Sequence, residues 1–224
     1  AFADPEIRAI FMGVGGYAAD QVLSYLDFDV IKKNPKIFLG FSDATVLQST
    51  FLAQTGLVTF HGPNAASLFE ADEYTLNNLW PVLTGEEVTK VEKKTEWEVL
   101  RPGKGKGMLM GGNLDSVCSM LGTVYDPFDQ MRDQPIVFFW EEYASEYNLI
   151  IRNLYQLKHA GIFKQCQAMM VGKLTDCSEE DYVGVPELRY TLLQMAREFD
   201  FPILWGVDFG HEVPKITIPL GMEG

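Results

Sequence analysis

The sequence predicts an α/β protein built as two layered domains, and three observations carry that expectation. Short apolar runs alternate with amphipathic stretches along the chain, the pattern of strands and helices packed in layers. Several junctions between them are tight, as where Ile37-Phe38-Leu39 stops at Gly40 and a helical pattern starts at Ala44. A glycine- and lysine-rich stretch, Arg101-Pro102-Gly103-Lys104-Gly105-Lys106-Gly107, then separates two halves.

In chain order, Ile7 to Met12 reads as a buried strand, Gly13 to Gly16 as a turn and Asp20 to Leu26 as a short helix. Ile37 to Leu39 is a second strand. Ala44 to Ala53 is a helix with Val46, Leu47, Phe51 and Leu52 on or near one face, ended by Gly56. Leu57 to Phe60 is a third strand, Asn64 to Leu83 a helix, and Glu87 to Leu100 alternates apolar and charged residues as a solvent-facing hairpin would. Downstream come a strand at Met108 to Met110, a helix at Asn113 to Leu121, a strand at Ile136 to Trp140 and a helix at Glu146 to Ala160. Strands near Ala168 to Val171 and Ile203 to Trp205 flank a helix at Glu187 to Phe199. The expected division is an N-terminal domain over 1–84, a linker or hairpin over 85–106 and a C-terminal domain over 107–224. The first strand comes early and the end, Ile216 to Gly224, stops just after a strand-like run, so the chain is expected to be a fragment.

A chain of 224 residues can bury a core without disulfides or metals. Its formal charge of −13 repels a phosphate backbone, and no basic patch offsets it, which excludes a nucleic-acid partner. Apolar runs such as Ile136 to Trp140 fall far short of the roughly 20 residues a membrane helix needs. The opening Ala1 to Glu6 carries no secretory pattern. Cys118, Cys166 and Cys177 are odd in number, widely spaced and without a CxxC pair, which reads as reduced cytoplasmic thiols and gives no metal site.

The sharpest local feature is Gly40-Phe41-Ser42-Asp43-Ala44, between a strand and a helix. Such a turn lifts a serine out of the sheet and sets a helix N-terminus beneath it, so an oxyanion developing there meets backbone N–H groups. Ser42 or Asp43 is equally a helix N-cap, and caps far outnumber nucleophiles. A serine needs a base. His159 falls in the last turn of a helix, His61 ends a strand and reads as a cleft residue or a structural one, and His211 follows a strand on a glycine-flanked loop. His211 is the preferred base. The strand Ile136 to Trp140 delivers Glu141 and Glu142, of which Glu141 suits the role of orienting an imidazole. Glu142 is expected to face solvent or to cap the next helix. Gly13-Val14-Gly15-Gly16-Tyr17 supplies a glycine-rich loop for a second oxyanion donor and lacks the full dinucleotide fingerprint.

These residues resemble the LD-carboxypeptidases of the S66 serine peptidase class and their microcin C immunity relatives. The likeness rests on Gly15-Gly16-Tyr17, Asn34-Pro35-Lys36, Gly40-Phe41-Ser42-Asp43, Phe60-His61-Gly62-Pro63, Gly111-Gly112-Asn113-Leu114, Glu141-Glu142 and Gly210-His211, in family order over nearly the whole chain. The resemblance implies a flavodoxin-like N-terminal domain, truncated here, joined to a C-terminal α/β domain, commonly in a cytoplasmic homodimer. It implies a triad of Ser42, Glu141 and His211, oxyanion donors at the Gly16 and Asp43 N–H groups, and no cofactor. The implied substrate is a murein tetrapeptide that loses its terminal D-alanine, or a peptidyl-nucleotide; a non-catalytic binding module is the remaining alternative. Arg152, shortly after Glu141, is a candidate for the substrate carboxylate, or else pairs with Glu146 or an interdomain acid; Trp97 is a candidate for base stacking, or a hairpin tryptophan. Departures from the family pattern are Val14 for Arg, Ala18 for Gly and Glu142 for Asp.

Overall fold

The computed structural model describes residues 1–86, 88–178 and 187–224. In its N-terminal half run β1 (Ala9–Phe11), α1 (Phe28–Lys33), β2 (Ile37–Gly40), α2 (Ala44–Thr55), β3 (Thr59–His61) and α3 (Glu73–Thr84). There follow β4 (Glu98–Arg101), β5 (Met108–Asn113), α4 (Leu114–Ser119), α5 (Pro127–Gln130), β6 (Ile136–Tyr143), α6 (Tyr147–Ala160), α7 (Ile162–Gln165), β7 (Cys166–Thr175), α8 (Leu188–Met195), β8 (Ile203–Trp205) and β9 (Ile218–Leu220). The α/β class read from the sequence is what the structure shows.

The strands form two sheets. One has the order β1-β2-β3-β9, with β9 antiparallel to β3; the other has the order β4-β8-β7-β6-β5, with β4 antiparallel to β8 and the rest parallel. The terminal strand therefore returns to the first sheet, pairing Ile218 with His61. Between the sheets lies α2, whose residues Ala44 to Leu52 are all buried. A helix covered on every side needs its polar groups paired. Gln48 Nε2 donates to the Gly40 and Phe60 carbonyls, and Thr45 Oγ1 accepts from Asn113 N–H on the second sheet. That is why the single apolar face expected for this helix is in fact apolar and polar burial all round.

Several expected elements differ. The helix expected over Asn64 to Leu83 splits into a 3₁₀ turn (Ser67–Glu70) and α3, which starts after its N-cap Asp72, whose carboxylate accepts from Thr75 N–H. The stretch Asp20 to Leu26 is a 3₁₀ segment (Ala19–Tyr25), and Ala18, at its N-cap, offers no side-chain cap. No hairpin forms among the described residues of 88–100: β4 finds its partner in β8 instead, while Glu87 lies outside the described residues. The helix expected over Glu187 to Phe199 is shorter, Leu188–Met195.

Candidate active site

The turn after β2 holds Ser42 at φ 64°, a left-handed conformation that costs a non-glycine residue energy and marks a constrained position. The backbone closes around it, Thr45 N–H donating to the Ser42 carbonyl at 2.8 Å. Neither Ser42 nor Asp43 is a side-chain cap of α2. The Asp43 carboxylate instead accepts from the Ala18 and Ala19 N–H groups, both at 3.0 Å, and so ties the Gly13–Ala18 loop to the turn. Gly15 has to be glycine here: a Cβ on it would stand 2.9 Å from Ser42 Oγ. Among the described residues Ser42 Oγ makes no hydrogen bond, and neither the Gly16 nor the Asp43 N–H has an acceptor.

Glu141 sits near the carboxyl end of β6 and is fully buried. The β6–β7 register shifts between Trp140 and Glu142, an irregularity of the kind that bends a strand end and re-aims its side chains. Glu141 Oε2 meets His211 Nδ1 at 2.7 Å. Gly210, at φ 124°, permits that approach, since a Cβ on it would lie 3.2 Å from Glu141 Oε2. The imidazole is fixed on both faces: it stacks on Tyr143 with ring centroids 4.5 Å apart and meets Phe41 edge-on at 4.8 Å. An Nδ1–H donated to the carboxylate leaves Nε2 as a proton acceptor. Ser42 and His211 line one cavity of about 610 Å³, together with Gly15, Gly16, Asp43 and Tyr143. Its walls come from the carboxyl ends of β1, β2, β5 and β6, where open α/β sheets bind ligands.

The other expected residues separate from this cluster. His159 is exposed on α6 and stacks on Tyr155. His61 is buried against Phe41, Phe139 and Phe209 and does not line the cavity. Arg152 is exposed on α6, outside the cavity lining, and forms no ion pair among the described residues. Trp97 is half-buried, with Nε1 donating to Asp208 at 2.9 Å rather than facing the cavity. Glu142 is buried, not solvent-facing, and serves α4 rather than the next helix, α6: it accepts from Asn113 Nδ2 and Asp115 N–H at the start of α4. The acids lining the cavity are Asp20, Asp43, Asp115 and Glu142, and no Lys or Arg joins them among the described residues. Among the same residues no group of three or more His, Cys, Asp and Glu is placed to hold a metal, and no helix is long and apolar enough to cross a membrane.

Sequence reading missed the tether made by the Asp43 side chain and missed Lys215, which is 2% exposed with its ammonium 4.2 Å from the Phe41 ring centroid. Nothing local in Val213-Pro214-Lys215 signals a buried lysine.

Comparison with known proteins gives one consistent result. The pattern of the LD-carboxypeptidase N-terminal domain matches residues 1–62 and that of the LD-carboxypeptidase C-terminal domain residues 106–224. The chain is 32% identical to the probable murein peptide carboxypeptidase of Bacillus subtilis, over 99% of this chain and 69% of that protein. Among solved structures it superposes on the microcin C7 self-immunity protein MccF in complex with glutamyl sulfamoyl guanosine with a TM-score of 0.83 at 26% identity, covering 99% of this chain and 73% of that one. It superposes on the muramoyltetrapeptide carboxypeptidase of Oxalobacter formigenes with a TM-score of 0.82 at 28% identity, covering 100% and 76%.

Proposed function

As the chain belongs to the LD-carboxypeptidase (S66 peptidase) family, we propose that it is a serine peptidase hydrolysing the amide bond before a terminal D-amino acid of a murein tetrapeptide. Ser42 is the nucleophile, His211 its base and Glu141 the group that orients the imidazole. His211 Nε2 takes the proton from Ser42 Oγ as the oxygen attacks the carbonyl. The resulting oxyanion rests on the unengaged Gly16 and Asp43 N–H groups, and the imidazolium returns its proton to the leaving amine. Water, deprotonated by the same histidine, then releases the acyl group and restores Ser42. The reading carries with it a cytoplasmic place in peptidoglycan recycling and a homodimeric assembly. The observation that carries it is the 2.7 Å Glu141–His211 pair opening onto the same cavity as a serine held at φ 64°.

A peptidyl-nucleotide is the second substrate class, favoured by the likeness to MccF, whose solved complex contains glutamyl sulfamoyl guanosine. Trp97 does not serve it, because its indole is tied to Asp208. The deciding experiment incubates the protein and its Ser42→Ala variant with a murein tetrapeptide and, separately, a peptidyl-nucleotide, and follows both by mass spectrometry. Loss of one D-alanine only with the intact serine is the expected result. Cleavage of the nucleotide alone moves the substrate class, and an active Ser42→Ala protein removes the serine mechanism.

A further inference from the structure

We propose that Lys215 is a positioning residue of this site: its buried ammonium is the counter-charge of the Glu141 carboxylate and so holds the acid ready to receive the imidazolium formed on His211. The inference rests on the peptidase reading above and adds a residue to it.

Lys215 lies on the loop between β8 and β9, four residues after His211. Its side chain turns inward over Phe41, the residue before Ser42, and the same ring packs edge-on against His211. It makes no direct ion pair among the described residues, and the charges it feels are those of Glu141 first, then Glu70 and Glu212. Burying an ammonium without a contact partner is expensive, so a nearby anion must offset the cost. Glu141 has the complementary deficit. Its Oε2 holds His211, but Oε1 is buried with no hydrogen-bond donor.

The remaining groups facing Glu141 cannot supply a positive charge. Glu142 has the same sign. His61 is held neutral by burial, its pKa lowered to about 4, and neither of its ring nitrogens has a hydrogen-bond partner. His211 is the group whose charge the acid must balance during the reaction. Lys215 alone is a cation at neutral pH, although burial brings its own pKa down to about 8 while Glu141, Glu70 and Glu212 pull it up. Its charged form dominates below that pH and is lost above it.

The test pairs a kinetic and a spectroscopic measurement. In wild-type protein kcat should fall as pH rises through about 8. Lys215→Met should lower kcat by roughly tenfold or more at neutral pH with KM little changed, and should lose that alkaline limb. Lys215→Arg, which keeps a charge, should recover part of the rate. Independently of activity, the Lys215 side-chain carbon signal, followed by NMR in lysine-labelled protein, should titrate at lower pH in Glu141→Gln than in wild type. Wild-type kcat with an unchanged alkaline limb in Lys215→Met overturns the proposal, and so does an unmoved Lys215 titration in Glu141→Gln. A wild-type protein inactive on both substrate classes sinks the peptidase reading, whereas the NMR titration still decides for or against the Lys215–Glu141 coupling.

Discussion

His61 shows how far one residue's environment departs from its sequence. It ends β3 a short way from Ser42, which makes it a natural candidate for the cleft, yet it is enclosed by Phe139 and Phe209 from distant parts of the chain and paired through β9. Neither neighbour is visible from Phe60-His61-Gly62. Burial, opposed by Glu141 and reinforced by His211 and Lys215, lowers its pKa to about 4. Between that value and the ordinary 6.5 the unfolded chain binds a proton that the folded chain refuses, so stability falls as pH drops through this window and is unaffected above it. The full effect is about 3 kcal/mol. Between pH 7 and 5 the wild-type protein should therefore lose about 2 kcal/mol more than His61→Leu in urea unfolding. Equal losses in the two proteins would mean that His61 is not held neutral.

At the scale of elements, Glu142 joins the end of β6 to the start of α4. Asn113 caps α4 by accepting from Ser116 N–H and donates its own Nδ2 to Glu142 Oε1 at 2.9 Å, while Asp115 N–H reaches Oε2 at 3.0 Å. A carboxylate there also meets the positive end of the helix. Burial pushes its pKa up, and the bonds from Tyr143, Asn113 and Asp115 pull against that. Glu142→Ala leaves these donors without their acceptor at the cavity wall, where water replaces it only in part, which should cost about 1–2 kcal/mol and lower the melting temperature by roughly 2–8 °C, with Glu142→Gln losing less. An unaltered melting curve for the alanine variant would show that the clamp contributes nothing. Elements with strong local signals were legible: the apolar run Ile136 to Trp140, and α2 between the Ser42 turn and Gly56. Where the partner is remote the sequence is mute. Residues 94 to 97 look like one arm of a hairpin, but Asp208 holds them through the Lys94 and Thr95 N–H groups and the Trp97 indole. The helices α1 and α5 are too short for a period to register.

Across the whole molecule, the site exists only because α2 is clasped between two sheets and β9 returns to the first of them. Ser42 follows β2 of the first sheet, Glu141 sits on β6 of the second and His211 on the loop that runs from β8 back to β9, and no local pattern could tell that Ser42 and His211 share one cavity with Glu141 behind the imidazole. What the order of motifs could not convey is charge. The acids lining the cavity have no Lys or Arg beside them among the described residues, and the chain as a whole carries −13. On the proposed reading, a murein tetrapeptide with free carboxylates would approach this surface against repulsion, and salt shortens the reach of that repulsion from about 30 Å at 0.01 M to about 8 Å at 0.15 M. Raising sodium chloride over that range should increase kcat/KM for the tetrapeptide a few-fold through KM, because steering acts on encounter, and leave kcat flat, because the bound substrate no longer has to approach. Initial rates at saturating and limiting substrate separate the two. A kcat/KM that falls with salt would instead show that a cation on the chain recruits the substrate, and Arg152, exposed on α6, which lends Leu149 to the cavity lining, is then the first position to substitute.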